Sequence, residues 1–270
     1  MFYRRIGEQN GVSIAHGTAS AARPLTRRDG LGFSLSVVTA PAGATHELWY
    51  QNHWEANYVM EGRLRLEQVA TGRSWEIEAG DLYCVGPKDR HTLTSHTPYR
   101  VMSAFNPPIE GNETHDAEGG YPPTGPLPEG QAEMFVRRPA DLEAMGRAKV
   151  TPSGARLRRY LLAQDRLGVT WSDVHFADGS ASKLWYKNHW EANYVFEGDG
   201  TLEHHGTGEV LQLEPGMLYC VGPDDPHTLT AGTGLHIVSL FNPPLTGTEV
   251  HDADGAYPPT GPLPPGPGKA

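Results

Sequence analysis

Apolar and polar residues alternate in short runs along most of this chain. Phe33-Ser34-Leu35-Ser36-Val37-Val38 places apolar side chains at nearly every second position, the period of a half-buried strand. The period returns in Leu64-Arg65-Leu66-Glu67 and in Trp75-Glu76-Ile77-Glu78. Shorter runs occur at Leu82-Tyr83-Cys84-Val85, at His91-Thr92-Leu93-Thr94 and from Tyr99 to Phe105. Trp49 to Met60 reads as one long strand closed by Gly62. Pro41-Ala42-Gly43, Ala79-Gly80-Asp81 and Gly86-Pro87 supply turns between these runs. Asp141-Leu142-Glu143-Ala144-Met145 is the one stretch that reads as helix. Many short strands at regular spacing predict an all-β sandwich or barrel.

The pattern occurs twice. Leu48 to Gly62 returns as Leu184 to Gly198, with changes only at Lys187 (for Gln51) and Phe196 (for Met60). Asp29 aligns with Asp165 and Pro128 with Pro264, with no insertion between. So long a repeat exceeds solenoid periods and predicts two tandem domains, 1–130 and 131–270, divided near Gly130. Met1-Phe2-Tyr3-Arg4-Arg5 resembles Met134-Phe135-Val136-Arg137-Arg138, so each domain is expected to bring its own N-terminal arm. One side of the repeated strand carries Trp54, Ala56, Tyr58 and Met60, and in the copy Trp190, Ala192, Tyr194 and Phe196. An apolar outer face needs cover. It predicts domains packed as a pseudo-two-fold pair, an intramolecular pseudo-dimer, with a further homodimer left open.

Charge narrows the partners. Lys+Arg number 22 against 32 Asp+Glu, a net charge of -10. That balance argues against a nucleic-acid or anionic-membrane partner, since both need a basic face, and leaves a small molecule as the expected partner. The first residues lack the apolar core of a signal peptide, and no apolar run is long enough to span a membrane. Cys84 and Cys220 occupy equivalent positions of separate repeats, so no disulfide is expected. These features predict a cytoplasmic protein.

The chemistry sits on the repeated strand and on the segments C-terminal to it. Glu55 and Glu191 are carboxylates inside apolar, aromatic strands. A Glu is followed after six residues by Gly62 or Gly198. Gly80-x6-Pro87-x3-His91 recurs as Gly216-x6-Pro223-x3-His227. These features resemble the cupins, small jelly-roll β-barrels. The histidine pair that usually precedes the cupin glutamate is missing: Trp49, Tyr50 and Gln51 stand there, and His46 is matched by Ser182 in the copy.

The longer blocks are similar to ectoine synthase, a one-cupin family, here in tandem. They are Asp29-Gly30-Leu31-Gly32-Phe33-Ser34, Asn52-His53-x-Glu55-Ala56-x-Tyr58, Leu82-Tyr83 with His91, Phe105-Asn106-Pro107-Pro108, and His115-Asp116-x-x-Gly119-x-Tyr121-Pro122. The resemblance implies metal ligands at Glu55, Tyr83 and His91, and again at Glu191, Tyr219 and His227. A carboxylate, a phenolate and an imidazole suit Fe(II) first, with Zn(II) or Mn(II) as alternatives. It implies acid/base roles for Glu113 and Glu249. It implies substrate contacts at Tyr50, Asn57 and Phe105, and at Tyr186, Asn193 and Phe241. His53 and Asn57 share the Glu55 face. Arg23 and Arg159 fall near a family arginine. Three family positions differ in both copies: a tryptophan is replaced by Ala19 and Ala155, a histidine by Trp49 and Trp185, and a cysteine by Ser103 and Ser239.

The expected function is a metal-dependent bicupin enzyme: a carbon–oxygen lyase that closes a ring with loss of water on a small polar amide or amino-acid-like substrate. The same ligands also serve an iron-dependent oxygenase, or a metal-stabilised binding protein without catalysis. Oxygen consumption separates the first rival, and ligand binding that survives metal removal separates the second.

Overall fold

The structure, a computed structural model, describes residues 1–6, 11–128, 133–151 and 153–268. The division expected near Gly130 lies outside them. The chain forms two compact units. The N-terminal unit comprises Gly7–Pro139 with Pro265–Ala270, and the C-terminal unit comprises Met1–Ile6 with Ala140–Pro264.

Each unit is a jelly roll of one seven-stranded and one four-stranded antiparallel sheet. In the N-terminal unit the larger sheet runs Phe135–Arg137, Leu82–Val85, Trp54–Glu61, Tyr99–Asn106, Ser34–Ala40, Ala19–Leu25, Val12–Ile14. The smaller runs Thr45–Leu48, His91–Ser95, Arg63–Gln68, Ser74–Glu78. The C-terminal unit repeats this order strand for strand. The alternation explains the layering: Leu64, Leu66 and Ile77 from the small sheet meet Val59, Val85 and Val101 from the large one in a dry core. Leu202, Leu213, Val195, Val221 and Ile237 do the same in the C-terminal unit. Tyr83 and Val85 belong to this inner face, while Cys84 is buried on the opposite side of its strand. Both cysteines are free thiols, and Pro139–Ala144 is helical.

Two expectations are corrected. The repeated strand begins at Trp54, not Trp49. Residues 49–53 turn instead, because Asn52 Nδ2 donates to the Tyr121 carbonyl at 2.9 Å and Trp49 Nε1 to the Pro87 carbonyl at 2.7 Å. The arms are also exchanged. Phe2–Arg5 pairs with Met217–Val221, Phe2 opposite Cys220. Phe135–Arg137 pairs with Leu82–Val85, Phe135 opposite Cys84. The arm of each repeat therefore completes the sheet of the other repeat's unit. Both edge strands need a partner for their outer backbone groups. The shared Phe-x-Arg pattern of the arms lets either edge accept either arm. Among the described residues no helix is long and apolar enough to cross a membrane.

Candidate functional site

Strand pairing brings the expected residues of the N-terminal unit together. Asn57 lies opposite Tyr83 on one side and Ser103 on the other, and Glu55 lies opposite Val85 and Phe105. Glu55, Asn57, Tyr83, Phe105 and Tyr50 line one cavity inside the barrel. His91 comes from the small sheet and is fully buried. Its Nδ1 is 2.8 Å from the Asp89 carbonyl, which can only accept. Nδ1 therefore carries the proton and Nε2 presents a lone pair, buried without a hydrogen-bond partner. Burial drops the ring to about 4, against the opposing carbonyl bond, so it is neutral at pH 7.

The acids of the cavity are displaced the other way. Burial pushes the Glu55 carboxyl up to about 7, with hydrogen bonds from Asn57 and Ser103 pulling it partly back. Burial first, and then the Glu55 carboxylate, push the Tyr83 phenol well above its ordinary range. Glu55 and Tyr83 are thus buried acids on one cavity wall, where an anion is costly unless paired. The donor types fit a divalent ion.

The C-terminal unit repeats the set with more space around it. Glu191, Tyr219 and His227 line one cavity together with Tyr186, Asn193, Phe241 and Glu249. His227 Nδ1 is 2.8 Å from the Asp225 carbonyl, the same arrangement as His91. Glu191 is also pushed up to about 7 by burial. Glu249 receives bonds on both oxygens, from the Thr246 hydroxyl at 2.7 Å and the Gly247 N–H at 2.8 Å. Burial raises its carboxyl, but these bonds outweigh it and hold the group below its usual range. Glu249 is an anion and an acceptor.

The ectoine synthase family model matches residues 7–125 and again 134–261. The chain belongs to the ectoine synthase family. An L-ectoine synthase of Oceanobacillus iheyensis is 48% identical over 101 residues, 37% of this chain and 79% of that protein. One from Desulfosudis oleivorans is 42% identical over 125 residues, 46% of this chain and 96% of that protein. Each relative thus matches less than half of this chain. Among solved structures, an oxalate decarboxylase of Lactobacillus farciminis aligns with a TM-score of 0.65 at 14% identity, covering 90% of this chain and 86% of that one. That likeness shows the two-barrel cupin fold.

Several residues stand differently from the expectation drawn from the family. Glu113 does not line the N-terminal cavity. Its carboxylate takes the Gly111 N–H at 2.8 Å, as Glu249 takes the Gly247 N–H, and faces Arg23 Nη1 at 3.6 Å. Trp49 and Trp185 do not reach the cavities either, because their indoles are pinned to the Pro87 and Pro223 carbonyls. His53 bonds Thr124 Oγ1 at 3.0 Å behind Phe105. Ala19 and Ala155 do line the cavities, and so do Ser103 and Ser239.

Other lining residues had no role assigned from sequence. His115 Nε2 is 2.9 Å from the Tyr50 hydroxyl, and its ring stacks on Tyr121. His251 and Tyr257 repeat this in the C-terminal cavity, where Arg159 is buried with its Nε lacking a hydrogen-bond partner. The block His115-Asp116-x-x-Gly119-x-Tyr121 was the available signal, and strand spacing could not say that its histidine turns inward.

A separate cluster lies on the opposite face of the large C-terminal sheet. Ligand atoms of Asp173, His175 and His236 fall within 4.8 Å of one another. His236 Nε2 bonds Asp173 directly, the two imidazoles stack at 3.9 Å, and Arg158 approaches Asp173 to 3.8 Å. The carboxylate is already engaged by His236 and approached by Arg158.

The strand carrying Glu191 is held from behind by a close approach. A Cβ on Gly222 would fall 2.4 Å from the Trp190 ring, and one on Gly86 would meet Trp54 at the same distance. Gly222→Ala is expected to push Trp190 off its seat and to cost about 1–3 kcal/mol, the usual range for overpacking. Thermal unfolding of the variant checks this; an unchanged midpoint contradicts it.

Proposed function

We propose that the chain is a metal-dependent lyase of the ectoine synthase type. It closes a ring with loss of water in an N-acylated diamino acid or a closely related amide. The observation that carries the reading is the convergence of Glu191, Tyr219, His227 and Glu249 on one cavity in a chain of this family. Glu191, Tyr219 and His227 would hold a divalent ion, with Fe(II) the first choice for this donor set. When bound there it supplies Lewis-acid polarisation of the amide carbonyl.

The protein's own groups do the rest. Arg159, cationic and buried at the cavity wall, pairs with the substrate carboxylate. The aromatic walls Tyr186 and Phe241 hold the chain folded, so that the free amine meets the acyl carbon. As the new C–N bond forms and the C–O bond breaks, two protons pass from nitrogen to the departing oxygen. Glu249, ionised, accepts the first from the amine. The Tyr186–His251 pair, 3.4 Å apart, is placed to relay a proton toward the leaving water.

The test is turnover of N-acylated diamino acids by Fe(II)-loaded protein, followed by mass spectrometry. A product lighter by one water, formed without oxygen, supports the reading. Oxygen-dependent product overturns it in favour of an oxygenase. The N-acetyl compound is expected to turn over at below ~0.1 per second, against a typical ~10 per second. Ala155 lines the pocket where the family has a tryptophan, so a bulkier acyl group fits better. Elemental analysis is expected to give about two metal equivalents per chain, because both donor sets are intact.

A further inference from the structure

The two cavities differ far more than their sequences do. The C-terminal cavity has a volume of ≈ 640 Å³ and the N-terminal one ≈ 40 Å³. The larger lies in the range of small-molecule sites, whereas the smaller holds about one or two waters. The donor sets are the same, so the difference lies in what surrounds them.

Three features close the N-terminal cavity. Tyr99 is buried and lines it. The aligned residue is Leu235, fully buried in the apolar core and absent from the C-terminal cavity wall. His46 is buried and lines the small cavity, where the other has Ser182. The hairpin tip also folds inward. Ile14 lies opposite Ala19, is 6% exposed and belongs to the core. The next residue, Ala15, donates its N–H to His115 Nδ1 at 3.3 Å and draws the tip over the cavity. The matching hairpin closes earlier, through the Thr151 N–H to the Ala155 carbonyl at 2.8 Å, and leaves Val150 70% exposed.

We infer that the duplication has divided the work: the C-terminal cavity alone admits substrate, and Tyr99, His46 and the Ile14–Ala15 tip plug the N-terminal cavity around a donor set that retains room only for an ion and water. The inference relies on the proposed chemistry only for what the open cavity does. The plug itself is a matter of access.

Access is tested without substrate or metal. Ser103 and Ser239 line their respective cavities and sit at aligned positions. Ser103→Cys and Ser239→Cys each place a thiol inside one cavity, and the native Cys84 and Cys220 are fully buried. The variants are treated with iodoacetamide as full-length folded protein, and alkylation is monitored by peptide mass spectrometry. The Ser239→Cys thiol is expected to react at least about 100-fold faster. Adding Tyr99→Leu and His46→Ser to Ser103→Cys is expected to accelerate its labelling by about tenfold or more. Adding Leu235→Tyr and Ser182→His to Ser239→Cys is expected to slow it comparably. Rates within threefold in the two single variants overturn the inference, whatever the protein does to amides. Unequal access in a protein that forms no dehydrated product leaves the plug standing and overturns the proposed activity instead. Unequal access that neither exchange alters overturns the assignment of the plug to Tyr99 and His46.

Discussion

Glu191→Ala is expected to lower turnover by about 10³-fold or more, and Glu55→Ala to leave it within about twofold. The two glutamates share strand position, register, hydrogen-bonded neighbours and a pKa pushed up to about 7. A chain with two equivalent sites would lose half its rate with either change. The prediction departs from that symmetry because a 40 Å³ cavity admits no amide substrate and a 640 Å³ cavity does. Loss of a ligand removes the polarisation of the carbonyl, worth several kcal/mol, and about 4 kcal/mol is about a thousandfold in rate. Metal content measured on the same samples separates binding from turnover. Each variant is expected to lose about one equivalent. Equal rate losses from the two variants would contradict the division of labour.

The stabilisation conferred by metal is expected to grow steeply between pH 5 and pH 7. In metal-free protein Glu55 and Glu191 are raised from 4.5 to about 7. A raised acid stabilises fully below its unfolded pKa, and that contribution is lost as pH rises through the folded value. The buried histidines run the other way. His53, His91 and His189, lowered from 6.5 to about 4, stabilise fully above 6.5 and lose that contribution as pH falls through 4. Metal-free protein should therefore be most stable near pH 6.5. A bound cation requires both carboxylates ionised, which releases about one proton at each below pH 7. The two carboxylate protons alone correspond to about 2.7 kcal/mol per pH unit of added metal stabilisation. The unfolding midpoint with and without Fe(II), measured anaerobically at pH 5.5 and pH 7.5, checks this. A metal-induced shift of equal size at both pH values would show that the ion does not sit on these glutamates.

Much of the site is legible in the sequence because strand period is a strong geometric statement. Once Trp54–Glu61 is a strand, Glu55 and Asn57 share a face, and the same reasoning places Tyr83 beside Val85. The duplication strengthens each assignment by showing it twice. Features without a period are not legible. Residues 49–53 carry enough aromatic character to read as strand, and only the bonds of Asn52 and Trp49 to distant carbonyls show that they turn. Glu113 and Glu249 look equivalent in sequence, yet only Glu249 lines a cavity. The plug is built from three places far apart in the chain, and its residues are ordinary core types. Tyr99 aligned with Leu235 reads as an exchange of one core residue for another until the volume beside it is seen. The arms are recognisable as a pair but not assignable to their sheets, because a short Phe-x-Arg strand carries no record of which edge it joins.

The exchanged arms have a consequence for how the protein is made. Phe2–Arg5 leaves the ribosome more than two hundred residues before its partner, Met217–Val221. At roughly 5–20 residues per second the interval is on the order of ten to forty seconds. Throughout it the first strand must stay unpaired, or be held loosely by an edge it will later leave. The Leu82–Val85 edge, formed early, must likewise wait for Phe135–Arg137. The strands of the N-terminal barrel all lie between Val12 and Arg137, but the C-terminal barrel cannot be finished from a contiguous stretch of chain, because its sheet takes Phe2–Arg5 from before the first of them.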